Sequence, residues 1–120
     1  MILVDTSVWV EHLRQRNGRL AGLLDQDQVA CHPFVIGEIA LGTLKNRTEV
    51  LGLLAELPMA RVVTHEDALA MVQTRSLAGG GIGWVDVHLL ASALVERWTV
   101  WTLDRRLALV AGKLDAAWSD

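Results

Sequence analysis

Four acidic residues, each set in an apolar segment, are the side chains of this sequence best suited to chemistry. Asp5 stands in ILVDTSVW, Glu38 in FVIGEIAL, Asp86 in GWVDVHLLASALV and Asp104 in WTLDRRL. An ionised carboxylate costs several kcal/mol to bury without a partner, and a bound cation offsets that cost. Carboxylate oxygens are also the ligands that Mg²⁺ prefers. We therefore expect the four acids, if the fold gathers them, to form a magnesium pocket.

Asp5 and Asp104 also have a purely structural interpretation. Each lies where a strand-like segment meets a helix-like segment, and Asp at such a junction commonly caps the helix by accepting backbone N–H groups. Thr6 and Ser7 follow Asp5, and either hydroxyl could cap the same helix and leave Asp5 free to face a metal. Helix capping and metal binding are both open interpretations for these two acids.

Glu38 and Asp86 lie inside helical patterns. Apolar residues occupy most of the helix surface around Glu38, which shares a narrow polar stripe with Lys45, so a solvated glutamate is as reasonable as a ligand. The helix that contains Asp86 is apolar on all sides and should be central and buried. The helix dipole contributes only ~0.3–1 kcal/mol to an aspartate in the first turn. Because this does not offset burial, a functional role is favoured for Asp86.

Arg105 and Arg106 directly follow Asp104. A phosphate group near the acidic pocket could meet one of these guanidinium groups. Arginines at a helix surface more often only interact with solvent, so both interpretations are kept.

Hydrophobic periodicity predicts strands that alternate with helices. The predicted strands are Met1–Val4, Val29–His32, Arg61–Val63 and Thr99–Thr102, with a possible last edge strand at Ala116–Trp118. The predicted helices are Thr6–Gln15, Arg19–Asp25, Pro33 to about Leu44, Thr48–Leu57, a helix capped by Thr64 that runs through Leu77, Trp84–Arg97, and Asp104 to about Lys113. The glycine-rich segment 79–83 is expected to be a loop.

This order of elements predicts an α/β fold, a three-layer α/β/α sandwich with a central, mostly parallel sheet. The third and fourth predicted helices are expected to form a helical hairpin beside the site. Ligands of such folds bind outside the carboxyl ends of the strands, where the strand order reverses. Asp5 ends the first strand and Asp104 follows the strand at 99–102, so both should lie at that edge.

Composition limits the class of protein. The 120 residues suit one compact domain over 1–120. Although 52% of residues are hydrophobic, no apolar run approaches the ~20 residues needed to cross a bilayer, and we expect the excess to cover a partner interface. The net charge of −3 argues against a protein that coats nucleic acid by charge alone. The single cysteine, Cys31, excludes an internal disulfide, and without an export signal we expect a cytoplasmic location.

The segments VDTSVW, GEI, WVDVHLLASA and TLD resemble the motifs of the PIN-domain family, and within it the VapC-type toxin ribonucleases of bacterial toxin–antitoxin pairs. The resemblance covers the whole chain, and the opening hydrophobic-Asp-Thr-Ser is its most specific part. The hydroxyl positions of the family fall on Thr6 or Ser7 and on Thr102, and Val87 stands where the family often has a small residue. The family's four acids, in order, fall on Asp5, Glu38, Asp86 and Asp104.

The resemblance implies an endoribonuclease that holds one or two Mg²⁺ ions, or Mn²⁺ in their place, and hydrolyses phosphodiester bonds in single-stranded loops of tRNA or rRNA. Asp5 and Asp86 are the best candidates for direct ligation, with Asp104 and Glu38 completing the site. The expected nucleophile is a metal-bound water, whose pKa the metal lowers. The implied partners are RNA, a second copy of the chain and a VapB-type antitoxin in a hetero-oligomer, with promoter DNA contacted only through the antitoxin and no membrane.

Proteins of other classes also gather acids at strand ends. A receiver-like signalling domain would need adjacent acids after the first strand, and a haloacid-dehalogenase-like phosphatase would need an Asp where Ser7 stands, so both patterns fail. Two alternatives stay open: a PIN-domain nuclease of RNA processing that is not a toxin, and a non-catalytic PIN-like module that only binds RNA or protein.

Overall fold

The computed structural model describes residues 1–120 and has a parallel three-stranded sheet at its centre. The strands are β1 (Ile2–Val4), β2 (Val29–Ala30) and β3 (Thr99–Trp101), in the order β2-β1-β3. In the register of the sheet, Ile2 lies opposite Val29 on one side and Thr99 on the other. Every residue of β1 and β2 is buried, as expected of a parallel sheet covered on both faces.

Seven helices surround the sheet, and the predicted α/β class is confirmed. In chain order the helices are α1 (Thr6–Arg14), α2 (Gly18–Asp25), α3 (Pro33–Leu41), α4 (Arg47–Ala55), α5 (His65–Thr74), α6 (Trp84–Glu96) and α7 (Arg105–Lys113). None of these helices is long and apolar enough to pass through a lipid bilayer.

The two most informative helical predictions are confirmed. α3 packs against α4, which is the expected helical hairpin, and α3 also packs against α1. Every residue of α6 from Val87 to Ala93 is buried, so this helix is central, as its apolar sequence predicts. Leu89 and Leu90 of α6 belong to the same hydrophobic core as Leu3 of β1.

The predicted strand Arg61–Val63 is wrong, because the chain pairs with the sheet edge slightly earlier. Cys31 N–H donates to the Pro58 carbonyl (2.8 Å), Ala60 N–H donates to the Cys31 carbonyl (2.8 Å), and Met59 forms a single parallel bridge. Beyond Ala60 the chain leaves the sheet, and Val62 is 41% exposed. The β-branched pair Val62–Val63 is therefore a surface segment despite its strand-like composition.

The predicted strand Val29–His32 ends early, at Ala30, because its last two residues take other roles. Cys31 makes the edge bridge to Met59, and His32 caps α3. The predicted edge strand Ala116–Trp118 is likewise reduced to one bridge between Val100 and Ala117.

Two predicted helices are three residues too long. α3 ends at Leu41 because Gly42 leaves the helical conformation (φ −83°, ψ 175°) and its N–H bonds to the Ile39 carbonyl. α5 ends at Thr74, and Ser76 follows with a left-handed φ of 55°. The other helices begin and end within two residues of the predicted positions.

The strand order reverses at β1, the central strand of the sheet. From β1 the chain continues to β2 on one side, and it later returns to pair β3 with the other side of β1. Ligands of open parallel sheets bind where the connections diverge in this way, outside the carboxyl ends of the strands. Asp5 follows β1, and the segment 102–104 follows β3, so both lie at the carboxyl ends of these neighbouring parallel strands.

Candidate active site

Asp5 directly follows β1, the central strand of the sheet, and is only 6% exposed. Its N–H donates to the Trp101 carbonyl (2.9 Å), which ties the end of β1 to the end of β3. Its side-chain oxygen Oδ2 accepts hydrogen bonds from Ser7 Oγ (2.8 Å) and from Thr102 Oγ1 (2.7 Å). Asp5 occupies the position before α1, but its side chain makes no capping hydrogen bond. The side chain is therefore oriented by hydroxyl groups and not by the helix.

The two hydroxyl groups are themselves oriented by the turn after β3. Leu103 N–H donates to Ser7 Oγ (3.0 Å), and Asp104 N–H donates to Thr102 Oγ1 (3.0 Å). Each hydroxyl oxygen accepts one backbone hydrogen bond and directs its hydrogen at Asp5. Of the two roles open to Thr6 and Ser7, capping α1 or supporting the acids, both hydroxyl groups take the second and bond to acidic side chains.

Glu38 joins the site from the helical hairpin. Thr6 Oγ1, in the first turn of α1, donates to Glu38 Oε1 (2.8 Å). Glu38 is exposed, whereas Val35 and Ile39 on the same helix are buried in the core. The packing of α3 against α1 thus brings a solvent-accessible carboxylate to the residue next to Asp5.

Asp86 lies in the first turn of α6, and its Oδ2 accepts a hydrogen bond from Gly83 N–H (3.1 Å). Burial raises the pKa of the Asp86 carboxyl above its usual value, whereas the hydrogen bond from Gly83 lowers it. The negative charges of Asp5, Asp104 and Glu38 raise this pKa further. The charges of all three other acids therefore affect the ionisation of Asp86. The fold brings the four predicted site acids together.

Asp104 caps α7, as one of the two interpretations of the sequence proposed. Its Oδ1 accepts hydrogen bonds from Arg106 N–H (2.9 Å) and Leu107 N–H (3.0 Å). Its other oxygen makes no hydrogen bond within the chain. Capping through Oδ1 and ligand binding through Oδ2 are compatible in this geometry.

The four carboxylates share one arrangement of their oxygens. In each, one oxygen accepts a hydrogen bond from the chain, and the second has no hydrogen-bond donor from the chain. The oxygens without a donor are Asp5 Oδ1, Glu38 Oε2, Asp86 Oδ1 and Asp104 Oδ2. Only two ion pairs occur in the molecule, Arg19–Asp120 and Arg61–Glu96, so no basic side chain neutralises the four acids.

Such a set of oxygens fits a hard divalent cation. No three His, Cys, Asp or Glu side chains are arranged to hold one ion together in this conformation. Mg²⁺ usually keeps several of its waters and takes only one or two carboxylates from the protein, so it does not need an all-protein cage. The uncompensated negative charge around the nearly buried Asp5 would be stabilised by such an ion.

Two backbone N–H groups also orient side chains of the site, and the residue pattern does not indicate them. Gly83 N–H orients Asp86, and Leu103 N–H orients Ser7, but backbone donors carry no signal in the sequence. Thr102 was expected near the site, and its position at the end of β3 explains its direct bond to Asp5. Arg105 and Arg106 are exposed at the start of α7 and form no ion pair.

Comparison with known proteins gives three related findings. The PIN domain family matches residues 2–113. Two proteins described as Ribonuclease VapC32, from Mycobacterium tuberculosis strains CDC 1551 and H37Rv, are 55% identical to this chain over 108 residues, which is 89% of this chain and 87% of each relative. The crystal structure of FitAcB from Neisseria gonorrhoeae is similar with a TM-score of 0.67 and 25% identity, covering 98% of this chain and 95% of that one.

Proposed function

Because this chain belongs to the PIN-domain family and, within it, to the VapC-type toxins, we propose that it is the ribonuclease of a toxin–antitoxin pair. The reaction is metal-dependent hydrolysis of phosphodiester bonds in single-stranded loops of RNA, in tRNA or rRNA. The observation that carries this proposal is the group of four carboxylates without a basic partner, two after β1 and β3, one on α3 and one on α6, each with one oxygen that has no donor from the chain.

The roles of the acids follow from their burial and bonding. Asp5 and Asp86 are the direct ligands, because Asp5 is nearly buried without a cationic partner and the charge of Asp86 is disfavoured by its surroundings. Glu38 and Asp104 complete the site as further ligands or by orienting water. Mg²⁺, with Mn²⁺ as a substitute, would supply positive charge opposite the scissile phosphate and lower the pKa of a coordinated water.

The remaining polar residues orient this group. Ser7 and Thr102 hold Asp5 from two sides, and Thr6 holds Glu38. Fixing a ligand through one oxygen keeps the other oxygen at a defined position, which is the usual task of groups behind a metal ligand. We propose that a guanidinium group of the Arg105–Arg106 pair contacts substrate phosphate, since neither arginine has an acidic partner within the chain.

A cleavage assay with an isosteric variant tests the activity. The chain, purified free of antitoxin, is incubated with total cellular RNA and Mg²⁺ or Mn²⁺. We expect discrete cleavage that EDTA abolishes and that Asp5→Asn reduces by about 100-fold or more, because that substitution keeps the shape but removes the central charge. Sequencing the new RNA ends identifies the target.

Asp25→Asn is the matched control, since Asp25 is exposed at the end of α2 and lies outside the acidic site. This variant should cleave like the wild type. If folded Asp5→Asn also cleaves like the wild type, the acids are structural and the ribonuclease proposal is rejected. A chain that neither cleaves RNA nor binds metal would instead be a non-catalytic PIN-like module.

We propose that the VapB-type antitoxin covers an apolar groove on the side of the molecule formed by α1, α2 and α4. The groove has a volume of about 430 Å³ and is lined by Trp9 and Leu13 of α1, Leu24 of α2, and Leu53 and Leu57 near α4, among others. Leu53 is 58% exposed and Leu13 is 39% exposed. A partner that buries these side chains gains roughly 25 cal/mol per Å² of apolar surface.

Charge substitution of one leucine tests this interface. Leu53→Glu should weaken binding of the antitoxin encoded by the neighbouring gene by about tenfold or more in calorimetry, because it places a carboxylate in the apolar groove. Leu109→Glu, at a leucine of α7 that is 63% exposed, is the matched control and should bind normally. Equal binding by both variants would place the antitoxin elsewhere.

We further propose that residues 1–120 act as one domain in the cytoplasm, forming a homodimer when free and a hetero-oligomer with the antitoxin. Promoter DNA would be contacted only by the antitoxin. Light scattering during size-exclusion chromatography tests the assembly, since the free homodimer has twice the 13.2 kDa mass of the chain.

A further inference from the structure

The Arg106 side chain lies against the glycine-rich loop, residues 79–83. A Cβ atom placed on Gly81 would lie 2.8 Å from Arg106 Cδ, 3.1 Å from its Nη1 and 3.2 Å from its Nε. Real Cβ atoms essentially never approach other atoms to 2.8 Å, so a larger residue at position 81 would displace the end of the Arg106 side chain from this position. Gly81 also has a φ of 78°, a conformation that glycine adopts without strain.

This contact joins the two segments that position Asp86 and Asp104. The loop ends at Gly83, whose N–H bonds to the Asp86 carboxylate. α7 begins after Asp104, whose carboxylate accepts the Arg106 N–H. The Arg106 side chain therefore starts beside one site acid and lies across the loop that leads to another.

The guanidinium group of Arg106 has no acidic partner. It forms no ion pair and no side-chain hydrogen bond, although four carboxylates lie at the neighbouring site. A guanidinium group presents several N–H donors in a planar fork that matches two oxygens of a phosphate. Contact with the loop also limits the side-chain freedom that would be lost on binding.

We propose that Arg106, whose side chain lies against Gly81, binds a backbone phosphate of the RNA beside the acidic site, and that the adjacent Arg105 does not. The ligand class is a phosphodiester of single-stranded RNA. The inference rests on the proposed ribonuclease function and assigns the anchoring of its substrate to one of two neighbouring arginines. Within the loop, Gly81 acts as a positioning residue for Arg106.

Binding of a labelled RNA hairpin tests the choice of arginine. The measurement is fluorescence anisotropy in the Asp5→Asn background with Mg²⁺, so that cleavage does not interfere. Arg106→Gln should weaken binding by about tenfold and reduce the magnitude of the slope of log K against log salt by about one, as expected for one lost phosphate contact. Arg105→Gln makes the same change of charge one residue away and should weaken binding less than about twofold.

Glycine substitutions test how the arginine is held. Gly81→Ala should weaken RNA binding, but by less than Arg106→Gln does, because it displaces the guanidinium group without removing it; the double variant should be no weaker than Arg106→Gln alone, because both changes act on one interaction. Gly79→Ala is the matched control, since Gly79 has nearly the same φ (76°) but no atom within 4 Å of the added Cβ. It should bind RNA normally, and thermal unfolding of each variant separates backbone strain from loss of the arginine contact.

The outcomes separate this inference from the proposed function. If Arg105→Gln and Arg106→Gln weaken binding equally, or if neither does, the assignment of Arg106 is overturned even where Asp5→Asn abolishes cleavage. Absence of hairpin binding by the Asp5→Asn parent also overturns it. If Gly81→Ala does not fold, the comparison of the two arginine variants still decides whether Arg106 binds the phosphate. The ribonuclease proposal depends only on the cleavage assay.

Discussion

Asp5 is supported by hydroxyl groups from two different elements. Ser7 belongs to α1 and Thr102 follows β3, yet both donate to the same oxygen, Oδ2. The two hydroxyl oxygens lie 3.3 Å apart, but both hydrogens point at Asp5, so the carboxylate is their shared hydrogen-bond acceptor. This leaves Oδ1 without a donor from the chain and fixes its direction.

Removing either hydroxyl group should therefore affect both stability and activity. Ser7→Ala and Thr102→Val each take one donor from a carboxylate that is 6% exposed. We expect each to lower the free energy of unfolding by about 1–3 kcal/mol, as for a buried polar group that loses its partner. We also expect RNA cleavage to slow by about 10–100-fold, as when groups that orient a metal ligand are lost. Urea unfolding and single-turnover cleavage measure the two effects.

Thr99→Val is the matched control for this pair. Thr99 is a half-buried residue of β3 whose side chain makes no hydrogen bond, so the same isosteric change removes nothing from the site. It should leave cleavage unchanged. Cleavage at the wild-type rate by Ser7→Ala and Thr102→Val would mean that Asp5 needs no hydroxyl support.

His32 caps α3 in one definite protonation state. Phe34 N–H donates to His32 Nδ1 (3.0 Å), so the ring proton is on Nε2 and is directed at Ser92 Oγ (3.1 Å). Ser92 Oγ in turn donates to the Arg61 carbonyl (2.7 Å), which links α3 and α6 to the segment after the edge bridge. Burial, with a smaller contribution from the charge of His88, lowers the pKa of His32 to about 4.

The chain should therefore lose stability in mild acid through His32. Between its ordinary pKa of 6.5 and the folded value of about 4, the unfolded chain binds the proton and the folded chain does not. The free energy of unfolding then falls as the pH falls through this window and is unaffected by His32 above it. His32→Asn keeps an oxygen for the cap and cannot titrate, so urea unfolding across this range should show a shallower loss. Equal slopes for both proteins would contradict this role for His32.

At the scale of the elements, sequence pattern predicts the long helices better than their ends. The apolar character of α6 predicts its burial because thirteen residues carry the signal, and the fold confirms it. The end of β2 is set by distant partners, Met59 for Cys31 and Ser92 for His32, and no local pattern contains that information. The valines at 62 and 63 have strand-like side chains but no neighbouring strand to pair with.

The candidate site was likewise only partly predictable from the sequence. Asp86 could be chosen because its apolar surroundings make a solvated role costly, whereas capping or solvated interpretations stayed open for the other three acids until the fold brought the four together. The family resemblance places Thr6 or Ser7 at the site, but from the residues alone either could cap α1 or bond to an acid, because capping and site support use the same hydroxyl chemistry. Only the meeting of β1, β3 and α3 decides between them.

The N-terminal cap of α5 allows stability to be changed without changing the site. Thr64 Oγ1 accepts a hydrogen bond from Asp67 N–H (3.1 Å) and so caps this helix, as its sequence predicts. Thr64→Ala should lower the free energy of unfolding by about 1 kcal/mol, the usual loss for such a cap. RNA cleavage should be unchanged under conditions where the protein is folded, because α5 carries none of the four acids. Thr74→Ala, at the other end of α5, removes no cap and should change neither quantity.

At the scale of the whole molecule, the concentration of charge opposes folding. The net charge of the chain is −3, whereas the site alone brings four acids together without a basic partner. The raised pKa of Asp86 means that the folded state disfavours its ionised form. At neutral pH in EDTA, Asp86→Asn should therefore have a higher Tm than the wild type, even though it removes a site residue. Differential scanning fluorimetry measures this directly.

Mg²⁺ should reverse that order, because a ligand of the folded state stabilises by RT ln(1 + [L]/Kd). At tenfold above Kd this is about 1.4 kcal/mol, or a rise of about 5 °C in Tm for a chain of this size. The wild type and Asp25→Asn should show this rise, whereas Asp5→Asn and Asp86→Asn should respond weakly. The cluster of negative charge that destabilises the metal-free fold is then also the group that binds the ion. Two results would contradict this link between stability and metal binding. One is a Tm for Asp86→Asn in EDTA below that of the wild type, and the other is an equal rise in Tm with Mg²⁺ in all four proteins.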